Sequence, residues 1–364
     1  MADGPDNRPS DDRDDDRDDD RDDDRGGDTP GPSNPFAAMP MFGDLAKALQ
    51  GQGPLNWDAA RQFAMLGATQ GEAEHNIDPA VRIAFTDLAR IAAMHVNDVT
   101  GADTEFPEPR VVTRGQWAAE TLDAYRPLFT DMATSLGQTG AHDADPGADP
   151  AADAGADPMM QMMAGLNRMM APAMMGMAVG SMVGTLSQRV FGLFDLPIPR
   201  ERHEVVLVGR TIDEFAGQWE IPLDEMRLWV LAHELSGYRV LSIPHLRDEL
   251  TNLVRAHVGG FRPDPSAIAD KLGGFDPFGG GDDPMQALQQ AFSDPEILLG
   301  AVESPAQREL QPRLDAAVAA VVGYTDWVVD AVAVRVIGGD ALRIAEAVRR
   351  QRSGSIPDDQ FVER

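Results

Sequence analysis

The 364-residue chain contains no cysteine. That absence excludes disulfide frameworks, thiolate zinc sites and thiol nucleophiles together. Other catalytic signatures are missing as well. There is no G-x-S-x-G elbow, no G-x-x-x-x-G-K-[ST] phosphate loop and no G-x-G-x-x-G after a strand. The glycines at 279–281 are followed by Asp282 and Asp283, which are hostile to phosphate. A secretory signal would need a basic start and an apolar run, whereas the first residues are rich in aspartate. A cytoplasmic location is the expectation.

Basic side chains are the scarcer charge, 31 against 60 acidic ones, for a net charge of −29. Much of the excess is local. Residues 1–30 carry −9 and residues 141–158 carry −5, which leaves −15 on the rest, an ordinary acidic soluble surface. Such a surface repels phosphate backbones, so nucleic acid is not an expected partner.

Residues 11–25 read DDRDDDRDDDRDDDR. Aspartate is a poor helix former and the run has no apolar face to bury, so residues 1–33 are expected to be a disordered, solubilising tail. A calcium site would need pre-ordered, converging oxygens rather than a loose polyanion. Residues 140–158 (GAHDADPGADPAADAGADP) repeat GADP and read as a linker or insertion. Residues 273–284 (GGFDPFGGGDDP) read as a glycine-rich loop. These breaks leave an N-terminal helical part over 34–139, a core over 159–352 and a C-terminal tail over 353–364.

Between the breaks the apolar spacing is helical almost throughout, and a mainly α domain is expected. Asp78–Pro79 reads as an N-cap followed by proline at the first helical position. Val81, Ala84, Phe85, Leu88, Ile91, Ala92 and His95 then form one stripe. A second helix starts at Thr113, with Trp117, Leu122 and Tyr125 inward. A long one opens at Pro305 and runs toward Val334, and a basic-ended amphipathic helix spans residues 337–350. Only residues 203–208 (HEVVLV) read as a strand.

Ten of the 18 methionines fall within residues 159–182. Gly176, Gly180 and Gly184 make a small-residue ridge that admits a close helix neighbour, within this chain or in a homo-oligomer. Residues 171–186 are apolar, but a membrane span needs about 20 such residues. A buried helix and no membrane span are expected. Methionine at this density also suits an adaptable partner surface.

The segment with the most chemistry enters through Pro222. Leu223, Met226, Trp229, Val230 and His233 share one helix face, and Glu234 follows in an apolar setting. In H-E-x-x-H, two histidines four apart bind one zinc ion, and the glutamate polarises the metal-bound water. Here the fifth position is Gly237. Unless it is protonated, a buried Glu234 needs a partner, with Arg227 and Arg239 as the candidates.

The surrounding text resembles the zincin-like metallopeptidase type 2 family, also named as candidate hydrolases and sibling to proteins linked to deazaflavin-coenzyme biosynthesis. The resemblance rests on five blocks: GPLNWDAARQFA at 53–64, VVTRGQWAAETLDAYRPLF at 111–129, FGLFDLPIPR at 191–200, TIDEFAGQWEIPLDEMRLWVLAHEL at 211–235 and VGYTDWVVDAV at 322–332. It implies a helical zincin-like fold, with His233 as the first zinc ligand and Glu234 as the general base. It also exposes two departures. Gly237 stands where the second histidine belongs, and Val322–Gly323 stands where relatives carry Glu-Gly. A catalytic zinc normally takes three protein ligands. His245, Glu249, His257 and Asp326 are the candidate replacements, whereas His75, His95 and His203 read as structural.

Three functions follow as expectations. The first is a family member impaired in zinc catalysis that acts as a binding or scaffold protein for a protein or peptide partner. The second is an active hydrolase of peptide or amide bonds with a non-standard ligand set. The third is an interaction protein that uses its methionine-rich helix.

Overall fold

The computed structural model describes the backbone of residues 53–142, 158–263, 301–302 and 304–353, with side chains over 53–136, 170–261 and 304–352. The acidic tail, most of the linker and the glycine-rich loop lie outside the described residues. Ten α-helices and four short strands are described: α1 Trp57–Thr69, α2 Pro79–Thr100, β1 Arg110–Val112, α3 Arg114–Ala124, α4 Arg126–His142, α5 Pro158–Ser187, β2 Val206–Val208, α6 Gly209–Gln218, α7 Leu223–Leu241, α8 Pro244–Gly259, β3 Arg262–Pro263, β4 Ala301–Val302, α9 Pro305–Val336 and α10 Ala341–Ser353. The mainly helical expectation is met.

The helix starts follow the local chemistry. Asp78 caps α2 through its carboxylate, with Pro79 in the first turn. Thr113 and Gln116 form a reciprocal capping box at α3, and Ser304 and Gln307 do the same at α9. Each such cap satisfies orphan N–H groups and contributes about 1 kcal/mol. The α2 stripe is rotated from the expected one. Phe85, Ala89, Ala92 and Val96 are buried, while Ile91 is exposed.

The expected strand forms only over Val206–Val208. It pairs in parallel with β1, a segment too short to show strand alternation in the sequence, through Arg110↔Val206, Val111↔Leu207 and Val112↔Val208. A second, antiparallel pair joins β3 and β4.

Helix α7 is the axis of the fold. From Met226 to Gly237 nearly every residue is buried, so the helix is enclosed on all sides and packs on α2, α6 and α9. Helix α10 closes this core by burying Ile344, Ala347 and Val348 with Val328, Val329 and Val332 of α9.

The glycine ridge of α5 faces α1. A Cβ added at Gly176 or Gly180 would strike the backbone carbonyl of Asn56 or Ala60, and one at Gly184 would lie 2.8 Å from the Ala64 carbonyl oxygen. The ridge is therefore an internal seam. Over residues 170–187, α5 is half-buried rather than fully enclosed. By length and composition Met170–Ser187 and α9 meet the requirement for crossing a membrane, yet α5 packs on α1 and α9 on α7 and α8.

Candidate functional site

His233 and Glu234 sit at the centre of α7, 4% and 0% exposed. The segment 191–195 packs against them and is held from several directions. Val208 N–H donates to the Phe191 carbonyl at 2.7 Å, and the buried indole N–H of Trp117 donates to the Gly192 carbonyl at 3.0 Å. Asp195 Oδ2 accepts from the Phe191 and Gly192 amides at 2.5 and 3.1 Å. This turn aims the next two amides at Glu234. Leu193 N–H donates to Oε2 at 2.8 Å, and Phe194 N–H is shared by both oxygens at 3.2 Å. A Cβ at Gly192 would run into the Glu234 carboxylate, so glycine is needed for this close approach.

These amides correct the expected pairing of Glu234. Arg227 turns away, pairing with Asp213 at 3.1 Å and lying over the Phe85 ring at 5.1 Å. Arg239 makes no ion pair with Glu234. Buried carboxylates are satisfied by several N–H donors as readily as by a cation. Burial pushes the Glu234 carboxyl above the ordinary glutamate value, while the donated bonds from His233 and the Phe194 amide pull it down.

His233 is engaged on both nitrogens. Nδ1 lies 3.3 Å from Glu234 Oε1, and Nε2 lies 3.1 Å from an Arg352 guanidinium nitrogen. Its ring stacks on Trp229, centroids 5.7 Å apart and planes within 14°. Arg352 also reaches Asp195 and Asp326, both at 3.5 Å. Beside this group is a cavity of about 150 Å³, lined chiefly by Phe194, His233, Gly237, Thr325 and Arg352.

Gly237 is filled from outside. A Cβ there would lie 2.5 Å from Phe194 Cβ, so the Phe194 side chain occupies the space that a side chain at 237 would need. The candidate replacement ligands disperse. His245 is exposed in the first turn of α8, and Glu249 is exposed and pairs with Arg313 at 2.8 Å. His257 lies in the last turn of α8 against Phe261. None of these three lines the His233 cavity. Asp326 alone is drawn toward His233, through Arg352. Among the described residues, no three His, Asp or Glu side chains stand close enough to hold a metal ion. Among the described residues, the groups around His233 do not fit a catalytic zinc.

Two contributors escaped the sequence reading. Asp195 lies inside the quoted block at 191–200, but its part depends on backbone amides that leave no spacing signal. Arg352 falls two residues beyond the expected end of its helix.

The family model for zincin-like metallopeptidases matches residues 55–364, most of the chain. The chain belongs to that family. A solved structure from Chloroflexus aurantiacus, described as a "putative hydrolase with a novel fold", aligns at 17% identity with a TM-score of 0.52. It covers 82% of this chain and 76% of that one, a likeness of fold alone. No curated protein matches the chain. Zinc is thus the metal the family implies. On α7, His233 and Glu234 match the first two positions of H-E-x-x-H, and both side chains are occupied by contacts within the chain.

Proposed function

We propose that this family member has lost zinc hydrolysis and works as a binding or scaffold protein for a protein or peptide partner. One observation carries the reading: both functional groups of the His-Glu pair are already spent on donors from the chain itself. A water-activating glutamate needs an oxygen turned to a metal-bound water. Both oxygens of Glu234 instead accept from Leu193, Phe194 and His233.

The surface supports binding at a second place. A recess of about 360 Å³ lies between the start of α4, residues 198–201 and α8. Arg200, Arg247 and Arg255 line it, with Glu201 and Asp248 as the acidic members. Arg200 is held by neutral partners, the hydroxyls of Tyr125 at 3.2 Å and Thr121 at 3.0 Å, and lies over the Tyr125 ring at 4.8 Å. Among the described residues, no carboxylate lies within 4 Å of it. A guanidinium so oriented suits a carboxylate of an acidic peptide.

The test is the zinc content of the purified protein, measured beside His233→Ala, together with peptide and amide hydrolysis by Glu234→Gln. The expected result is no stoichiometric zinc and no hydrolysis that depends on Glu234. Near-stoichiometric zinc that disappears in His233→Ala would overturn the reading. It would favour the alternative, an active hydrolase with unusual ligands, for which Asp326 is the best-placed residue.

A further inference from the structure

We infer that Arg352 is a tethered cation that takes the role of the metal in this chain, clamping His233, Asp195 and Asp326 together without any ion. The inference rests on the reading that zinc chemistry has been lost, and supplies what holds the site in its place.

The three acceptors come from three different parts of the chain. His233 is on α7, Asp195 is in the turn that cradles Glu234, and Asp326 is on α9. One guanidinium from α10 meets all of them, through Nη2 to His233 Nε2 at 3.1 Å and Asp195 Oδ1 at 3.5 Å, and through Nη1 to Asp326 Oδ1 at 3.5 Å. Asp195 is oriented for this, because its other oxygen is taken by two backbone amides. Two carboxylates and a histidine around one positive centre is the charge pattern of a divalent-cation site. The spacing, however, belongs to a guanidinium. Its N–H groups hold acceptors at roughly 3 Å, whereas zinc draws nitrogen and oxygen ligands to about 2.0–2.2 Å. These three groups would have to close in by about 1 Å or more before they could share an ion.

Delivery of the cation does not depend on the ion pairs. Helix α10 is anchored by its own apolar face, with Val348 one turn before Arg352 and 2% exposed. Arginine suits this position twice, since the last turn of a helix favours positive charge and its planar fork serves several acceptors at once. The His233 contact is the most telling. A zinc-binding histidine needs its lone pair free, and here that lone pair faces a fixed donor.

The experiment uses the full chain, with thermal melting followed in EDTA and in added zinc or cobalt, on the unmodified protein, Arg352→Met and Arg352→Lys. The unmodified protein is expected to melt at the same temperature with EDTA as with metal. Arg352→Met keeps the apolar stem, and should melt several degrees lower and regain part of that loss with zinc or cobalt. Adding Asp326→Asn to Arg352→Met should abolish the recovery. Arg352→Lys keeps the charge and should show no metal response. A metal-free unmodified protein with an Arg352→Met variant that melts identically, or that is lowered without any metal-dependent recovery, overturns this inference alone. Unmodified protein that melts lower in EDTA overturns both this inference and the loss of zinc beneath it.

Discussion

Nε2 of His233 lies 3.1 Å from the Arg352 guanidinium, and that contact decides where the imidazole proton sits. Arginine only donates, so Nε2 must accept and the proton belongs on Nδ1. Nδ1 then donates to Glu234 Oε1 at 3.3 Å. Glu234 consequently faces donors alone: one imidazole N–H and the amides of Leu193 and Phe194.

Glu234→Gln should therefore destabilise the fold. The substitution turns one acceptor oxygen into an NH₂ group among donors, which strands at least one buried partner. The expected loss is about 1–3 kcal/mol, read as a lower midpoint in urea with an unchanged slope. A glutamate acting only as a catalytic base would give unchanged stability and lost hydrolysis, so the two roles separate cleanly.

The same residue predicts a pH dependence. Burial raises the Glu234 carboxyl above 4.5, so the folded state binds this proton more tightly than the unfolded chain does. The resulting contribution favours folding below 4.5 and is lost as pH rises through the raised value. Glutamine does not titrate. The stability difference between the unmodified protein and Glu234→Gln should thus shift toward the unmodified protein as pH falls through that window. A difference that stays flat, or moves the other way, would mean that the donated bonds outweigh burial.

A histidine at position 237, which would complete H-E-x-x-H, should not create a metal site by itself. Gly237→His places a Cβ 2.5 Å from Phe194 Cβ, and that neighbour lies next to the backbone and cannot swing aside. Overpacking of this kind costs about 1–3 kcal/mol. Meanwhile His233 Nε2 remains on Arg352. Gly237→His should melt lower than the unmodified protein and bind no zinc, by elemental analysis after dialysis against zinc. The same substitution combined with Phe194→Gly and Arg352→Met removes both obstacles, and should retain more metal than Arg352→Met alone.

What could be read from the sequence was whatever has a period or a motif. The N-cap at Asp78, the helix starts at Thr113 and Pro305, and glycine at the fifth position of the motif begun by His233–Glu234 are all one-dimensional signals. The rotation of the α2 stripe was not, because Ile91 and Ala89 are both apolar and only packing decides which one points inward. Strand β1 is three residues long, too short for alternation to show. The cradle for Glu234 was illegible for a different reason: Leu193 and Phe194 act through backbone amides, which carry no side-chain signature. Arg352 lies 119 residues from its histidine, and nothing in a helical tail marks one arginine among four.

The α5 seam gives a prediction that turns on two glycines of the same type. Gly180 and Gly323 both lie inside helices, where alanine is favoured over glycine by about 1 kcal/mol. Nothing stands within 4 Å of a Cβ built at Gly323, so Gly323→Ala should keep that gain and raise the melting temperature slightly. At Gly180 the new Cβ would strike the backbone carbonyl of Ala60, and a helix backbone cannot move aside without α1 shifting as a whole. The propensity gain is the same, but about 1–3 kcal/mol of overpacking opposes it. Gly180→Ala should lower the melting temperature while the protein remains in the same oligomeric state by light scattering. If Gly180→Ala is instead neutral and changes the oligomeric state, the ridge serves a contact between copies rather than the α1 seam, because only an external partner can be lost without disturbing the interior of the fold.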